Sequence, residues 1–304
     1  MGGPFDAVPK IRATKIGSGY SWTEAPRWHE GAFYFSDMFN GRIMKVTEDG
    51  EATTFLDASD RVTLDGADLV TIGTGFLPDG RLLVNSMFEK VTLVWDGSTL
   101  EVYADLRELA MGPINDMVVD ATGRVYVTQL GYDIFVGDEP VESDIIVIET
   151  DGRAHILESA GKVAGANGIG ITADGKTLIT AETNTLTTTA WDIQDDGTVS
   201  NRRLFADVPW LADGIALDAD GAVWAGMPGS GFVTRVLEGG VIDSAVAIPL
   251  EEGLGVSCVL GGADRKTLFI TCGLEVFDRD KSRAEGLGSI WTAPVSVGGS
   301  TVRP

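Results

Sequence analysis

Histidine and cysteine are nearly absent from this 304-residue chain, which has two of each. Two cysteines cannot build a disulfide framework in a chain of this length. Cys258 and Cys272 both fall inside strand-like runs of one segment and read as small buried hydrophobes. His29 sits in a turn and His155 in an outer hairpin, so a histidine-rich metal site and a Ser-His-Asp nucleophile both lack their imidazole. Positive charge is short as well. The 23 Lys and Arg against 45 Asp and Glu leave a formal charge of −22, which repels a phosphate backbone or an anionic membrane surface and argues against nucleic acid and membrane as partners. No apolar run reaches the length of a membrane-spanning helix, and the opening MGGPFDAVPKIRATK lacks the apolar stretch of a secretory signal. With no Asn-x-Ser/Thr acceptor anywhere, the expected location is the cytoplasm. Helical periodicity is scarce too, since only ADLRELA, at 104–110, could form a turn or two.

What the chain has in quantity is a repeat. Six stretches share an apolar strand, a tight turn and a second apolar strand: EAPRWHEGAFYFSDM from Glu24, IGTGFLPDGRLLVNSM from Ile72, INDMVVDATGRVYVTQ from Ile114, NGIGITADGKTLITAE from Asn167, DGIALDADGAVWAGM from Asp213 and SCVLGGADRKTLFITC from Ser257. The turn marker falls at Gly31, Gly80, Gly123, Gly175, Gly221 and, more loosely, Arg265, with gaps of 49, 43, 52, 46 and 44 residues. Such a period means one structural unit repeated. A second hairpin follows each of the six, as in GRIMKVTEDGEATTF and KVTLVWDGSTLEVYADL, with Asp-Gly and Gly-Gly between alternating β-branched and aromatic residues. Four antiparallel strands per unit and six units predict an all-β, six-bladed propeller occupying residues 1–304 as a single domain. The last hairpin lacks a partner strand while residues near Ile11 to Gly17 form an orphan strand, so the N-terminal segment is expected to pair with the final blade and close the ring.

The innermost strands of a propeller line its central channel, so residues at their starts converge on one mouth. Counting back from the turn markers brings Glu24, Asn115, Asn167 and Asp213 to one register, with Ile72 and Gly73 in the second blade and Ser257 in the sixth. Two carboxylates and two amide oxygens suit one hard dication, calcium above all, with magnesium, manganese or zinc as alternatives. The competing structural reading is that Asn-Gly, Asn-Asp and Asp-Gly close Asx turns; four such residues at matched offsets favour the site. Asp116 can orient Asn115, face a substrate or close the turn. Met38, Phe39, Phe88, Met111, Tyr132 and Met227 follow or flank inner strands and are candidates for the mouth or for inter-blade core. Ser36 and Asp37 end the second strand of the first repeat and read as structural. The Gly165–Gly170 stretch is a partial glycine pattern with no helix after it.

The EAPRW and FYFSDM segments, followed in order by PIND, ANGI, ADGIALD and VSCVLGGADRKTLFITC, resemble the motifs of the regucalcin/gluconolactonase family, senescence marker protein-like six-bladed propellers, from about Trp22 to Trp291. The resemblance implies a divalent metal at the channel mouth with Glu24, Asn167 and Asp213 as direct ligands, and Asn115 on metal, its water or substrate. It implies metal-dependent hydrolysis of a lactone or related ester, with Asp213 or Asp116 as general base. Related propellers that hydrolyse organophosphates use a similar residue set, so phosphotriester hydrolysis is an alternative, as is a non-catalytic, metal-stabilised ligand-binding propeller. Three positions depart from the family pattern. Ala25 stands in place of the usual Gly of Glu-Gly-Pro, Pro113 replaces a common substrate-binding Arg, and Glu182-Thr183 replaces an Asp-Ser often found at the end of the second strand of blade four. Without that arginine, a substrate less polar than a sugar lactone is expected, with Asn115, Met38, Phe39, Met111, Tyr132 and Glu182 as its contacts. The expected partner is a small-molecule substrate.

Overall fold

The computed structural model describes residues 3–47, 51–64, 66 and 69–300. Its strands form six sheets around one axis, five of four strands and one of five. Blade one comprises Thr23–His29, Ala32–Asp37, Arg42–Val46 and Ala52–Asp57, each antiparallel to the next. The Asp-Gly turn expected at residues 49 and 50 lies outside the described residues. Blades two to four repeat the same up-and-down order along the chain.

Ring closure follows the sequence in principle but not in register. Thr14–Tyr20 is the strand that pairs antiparallel with Gly288–Pro294 and completes blade six, with Thr14 opposite Thr292 and Tyr20 opposite Gly288. Ile11 does not take part. It belongs to Lys10–Arg12, which adds in parallel to Ile242–Ala247 as a fifth strand of blade five. The N-terminal segment therefore covers two sheet edges, which leaves fewer unpaired N–H and C=O groups to template aggregation. Thr23 locks the seam between first and last blades, because its hydroxyl lies 2.9 Å from Cys272 O and 2.8 Å from Ser289 O.

Every turn marker adopts the left-handed backbone region, from Gly175 at φ 74° to Gly123 at φ 97°, and Arg265 does so at φ 60°. The positive φ is why glycine recurs there, and Arg265 holds the same conformation at a steric cost. Apolar residues fill the gaps between neighbouring blades. Ile179 and Ala190 of blade four pack with Val223 and Val236 of blade five, and Phe33 stacks on Phe269 across the seam at 4.7 Å. Cys258 and Cys272 are free and buried in one such layer, as expected. The helical content includes one short helix, Arg279–Glu285, in a loop of blade six; the 104–110 segment makes only a single turn. No helix among the described residues is long and apolar enough to cross a membrane.

Candidate functional site

A local device aims the convergent residues at the channel. The inner strands of blades one to four and blade six each break register at this height, between Glu24 and Arg27, Thr71 and Thr74, Ile114 and Met117, Ala166 and Ile169, and Gly255 and Ser257. A bulge adds residues without a partner and turns their side chains off the alternating pattern. The glycines after Asn167 and Asp213 serve close strand approach. A Cβ on Gly168 would lie 2.5 Å from Ile215 N, and one on Gly214 would lie 1.9 Å from Ser257 Oγ. Gly168 N–H donates to Asp213 O at 3.0 Å, and Gly214 N–H to Val256 O at 2.8 Å. Asn-Gly and Asp-Gly here mark inner strands in contact, not turns.

Glu24, Asn115, Asn167 and Asp213 line one cavity of about 320 Å³ at the mouth of the channel. Asn115 Nδ2 donates to Asn167 Oδ1 at 2.9 Å, and the Asn167 side chain in turn hydrogen-bonds the Asp213 carboxylate. Glu24 Oε2 accepts from Ala25 N–H at 2.8 Å. Ala25 has a φ of 46°, a conformation that glycine would take freely. Neither Glu24 nor Asp213 forms a salt bridge with Lys or Arg among the described residues. Burial, reinforced by the Asp213 charge, holds the Glu24 carboxyl well above the usual carboxylate range. Burial is also the main cause that lifts Asp213 to about 7, against the Asn167 hydrogen bond and with help from the Asp116 charge. Two buried acids with raised affinity for protons have the same electrostatic need for a cation.

This donor set fits a hard dication. Two carboxylate and two amide side chains offer oxygen and no sulfur or imidazole. Among the described residues no group of three or more His, Cys, Asp or Glu converges as a metal cluster, because half of this arc is asparagine. Blades two and six contribute apolar residues at the same height. Ile72 lines the cavity, and Val256 packs with Trp22, Ile72 and Met87. Ser257, the residue that the spacing places at this register, is buried against Gly214 instead.

Of the other anticipated contacts, Met38 and Tyr132 line the cavity. Phe39 does not; it is buried in the core beside Trp22, and its carbonyl accepts from Arg283 Nε at 2.7 Å. Met111 is half exposed on an outer groove shared with Tyr132. Met227 is fully buried among blades four and five, and Phe88 stands in a groove outside the cavity. Glu182 is committed elsewhere, since its carboxylate accepts from Ala164 N–H at 2.7 Å, from the Thr189 hydroxyl and from Arg202 Nη2 at 3.1 Å. Its neighbour Thr183 lines the cavity in its place. Asp116 turns to Arg27, accepting from Nη2 at 2.8 Å and from Met117 N–H at 2.8 Å. Ser36 and Asp37 are structural: Ser36 Oγ donates to Thr71 O at 2.8 Å, and Asp37 binds Ser21, Asn40 and Arg42. His29 stacks on Phe76 at 3.8 Å, and His155 is exposed on an outer strand. Counting along strands does not point to Trp22, Met87, Leu130, Phe135, Leu254 or Phe277, which also line the cavity.

The chain belongs to the family described as SMP-30/Gluconolactonase/LRE-like region, which matches residues 22–273. It is 28% identical to the pentonolactonase XacC of Haloferax volcanii over 86% of this chain and 84% of that protein. Its fold superposes on a calcium-binding protein, regucalcin, from Agrobacterium tumefaciens with a TM-score of 0.75 at 17% identity, covering 96% of this chain and 97% of the other. It superposes on a gluconolactonase from Xanthomonas campestris with a TM-score of 0.68 at 21% identity, covering 93% and 89%. Two of these three relatives carry the names of lactonases and the third that of a calcium-binding protein.

Proposed function

We propose that this chain is a divalent-cation-dependent hydrolase of a lactone or related carboxylic ester, with calcium the cation its oxygen donors suit best. The observation that carries the reading is the meeting of Glu24, Asn115, Asn167 and Asp213 in one cavity whose remaining wall is largely apolar. Glu24, Asn167 and Asp213 would hold the cation, and Asn115 would contact it or the substrate. A dication bound there supplies Lewis acidity, polarising a carbonyl and stabilising charge that develops on its oxygen.

The protein's own groups do the rest. Asp213 faces the cavity and accepts the proton of the attacking water. Asp116 is the lesser choice as base because its carboxylate is held by Arg27 and Met117 N–H. The Asn115 to Asn167 hydrogen bond fixes the two amides relative to each other, so they need little reorganisation when substrate enters. Trp22, Ile72, Met87 and Leu130 exclude bulk water and strengthen the electrostatics of the enclosed carboxylates. With Pro113 where sugar-lactone enzymes commonly carry arginine, the wall supports a substrate less polar than a sugar lactone.

A panel of aliphatic, aromatic and sugar lactones with a phosphotriester, assayed before and after chelation, tests this reading. Cation-dependent turnover of the less polar lactones is expected. Turnover confined to the phosphotriester, or hydrolysis indifferent to chelation, overturns it.

A further inference from the structure

Two rings form the outer lip of the cavity. Phe135, from the blade-three loop, and Phe277, from the blade-six loop, have centroids 5.9 Å apart. Both line the catalytic cavity and also an open groove above it that includes Phe88 and Arg279. The Arg279 guanidinium lies over the Phe88 ring at 4.2 Å and over the Phe135 ring at 5.3 Å, and Phe88 meets Phe135 edge-on at 5.5 Å. Such contacts order a guanidinium without a carboxylate partner.

The lip is anchored. Asp278 caps the Arg279–Glu285 helix by accepting from Lys281 N–H at 2.9 Å. The buried Ser282 hydroxyl donates to Ser21 O at 2.9 Å, and Arg283 Nε donates to Phe39 O at 2.7 Å. The aromatic groove is therefore preformed, which lowers the ordering cost of a ligand laid along it.

The loops before the innermost strands and those joining second to third strands all open at this end of the propeller. Exposed large apolar side chains gather on them, among them Met111, Val136, Trp210, Leu250, Leu274 and Phe277, the last of them 67% exposed. Asp133, Glu275, Asp278 and Asp280 outnumber Arg279 and Arg283 along the groove, and with the −22 net charge that balance disfavours a carboxylate or phosphate on whatever occupies it.

We propose that Phe135 and Phe277, with Arg279 lying over Phe88 and Phe135 and holding them edge-on to each other, form a specificity-determining subsite for a neutral hydrocarbon substituent on the lactone ring. The substrate class is then an alkyl- or aralkyl-substituted lactone whose ring enters the cavity while its tail lies in the groove. The continuity of Phe135 and Phe277 with both spaces selects the substrate's own tail as occupant. The choice of a lactone ring rests on the hydrolase reading; the tail subsite does not.

The experiment therefore has two arms on the full chain. In the first, binding of 2-alkylcyclopentanones, which have no scissile ester, is followed by thermal shift and by the fluorescence of Trp22 at the cavity wall. Affinity is expected to rise about two- to fourfold per added methylene up to the length of the groove. Phe135→Ala, Phe277→Ala and Arg279→Gln are each expected to flatten that dependence, whereas Leu204→Ser, which removes an exposed apolar residue away from the mouth, preserves it. In the second arm, kcat/KM is measured on γ-lactones of increasing chain length, and the same flattening is expected in KM. Affinity indifferent to chain length, or a gain that survives all three groove substitutions, overturns the subsite. Sedimentation showing a second copy of the chain on this face, with no chain-length gain, overturns it as well. A chain-length gain in binding with no turnover of any lactone supports the subsite and refutes the hydrolase reading separately.

Discussion

Arg27 of blade one places Nη2 2.8 Å from Asp116 Oδ1 of blade three, and the same nitrogen donates to Met117 O. Both side chains are close to nine-tenths buried. The pair stands beside the two proton-hungry acids of the cavity, and the Arg27 charge opposes the rise in Glu24. Removing one member of a buried pair leaves the other uncompensated. Arg27→Gln is accordingly expected to destabilise the fold by about 3–5 kcal/mol in urea titrations, and Arg27→Gln/Asp116→Asn to recover most of the loss. Equal stability of the single and double variants would show that the two residues act independently.

Asp213→Asn separates stability from binding. Replacing a buried carboxylate by an amide of the same shape removes the repulsion with Glu24, so the chelated variant should melt above the chelated wild type at pH 8. Its calcium affinity, read by calorimetry, should fall by at least about tenfold, since a charged donor becomes a neutral one. A variant that loses both stability and affinity would mean that Asp213 is chiefly structural.

The sign of the pH dependence follows from the raised acids. In the chelated protein Asp213 titrates near 7 when folded, against about 3.9 unfolded. Between those values the native state binds more protons than the unfolded state, so the Asp213 contribution to stability declines as pH rises from about 4 to about 7. Glu24 shifts in the same direction. Cation binding competes with those protons, so calcium affinity should weaken as pH falls below about 7 and binding should release protons. Calorimetry in buffers of different ionisation enthalpy measures the release, and zero release at pH 6 contradicts the assignment.

Ala25 tests the strain of the first bulge. A buried Ala→Gly change in a strand ordinarily costs about 1 kcal/mol. Ala25 sits at φ 46°, where glycine relieves about 1–2 kcal/mol of steric cost. Ala25→Gly should be neutral within about 0.5 kcal/mol or stabilising, while Ala181→Gly, also fully buried but without positive φ, should lose about 1 kcal/mol. Similar losses at both positions would show that the bulge carries no strain.

The architecture was legible because a propeller writes the same local chemistry six times. Five glycines and Arg265 at one turn all take positive φ, and that need is visible in residue type. Glu24, Asn115, Asn167 and Asp213 were legible for the same reason, as a register shared between repeats. The closing strand is legible but lies three residues further on, because only Ala13 separates Lys10–Arg12 from Thr14–Tyr20 and only packing decides which blade each joins. The wall was harder to read. Phe135 and Phe277 lie on loops with no repeat to align them, and they meet only in space. Glu182 and Phe39 share a register with the mouth, but Arg202 and Thr189 claim the first and the core beside Trp22 claims the second.

On the proposed function, Glu24, Asn115, Asn167 and Asp213, from four blades, form one cation-dependent catalytic site. The most direct test removes metal with a chelator, verifies its loss by elemental analysis, and follows lactone hydrolysis while calcium is returned. Activity is expected to disappear, to return in proportion to one calcium per chain, and not to return in Asn167→Ala. Undiminished hydrolysis by metal-free protein, or recovery in Asn167→Ala matching that of the wild type, would contradict it.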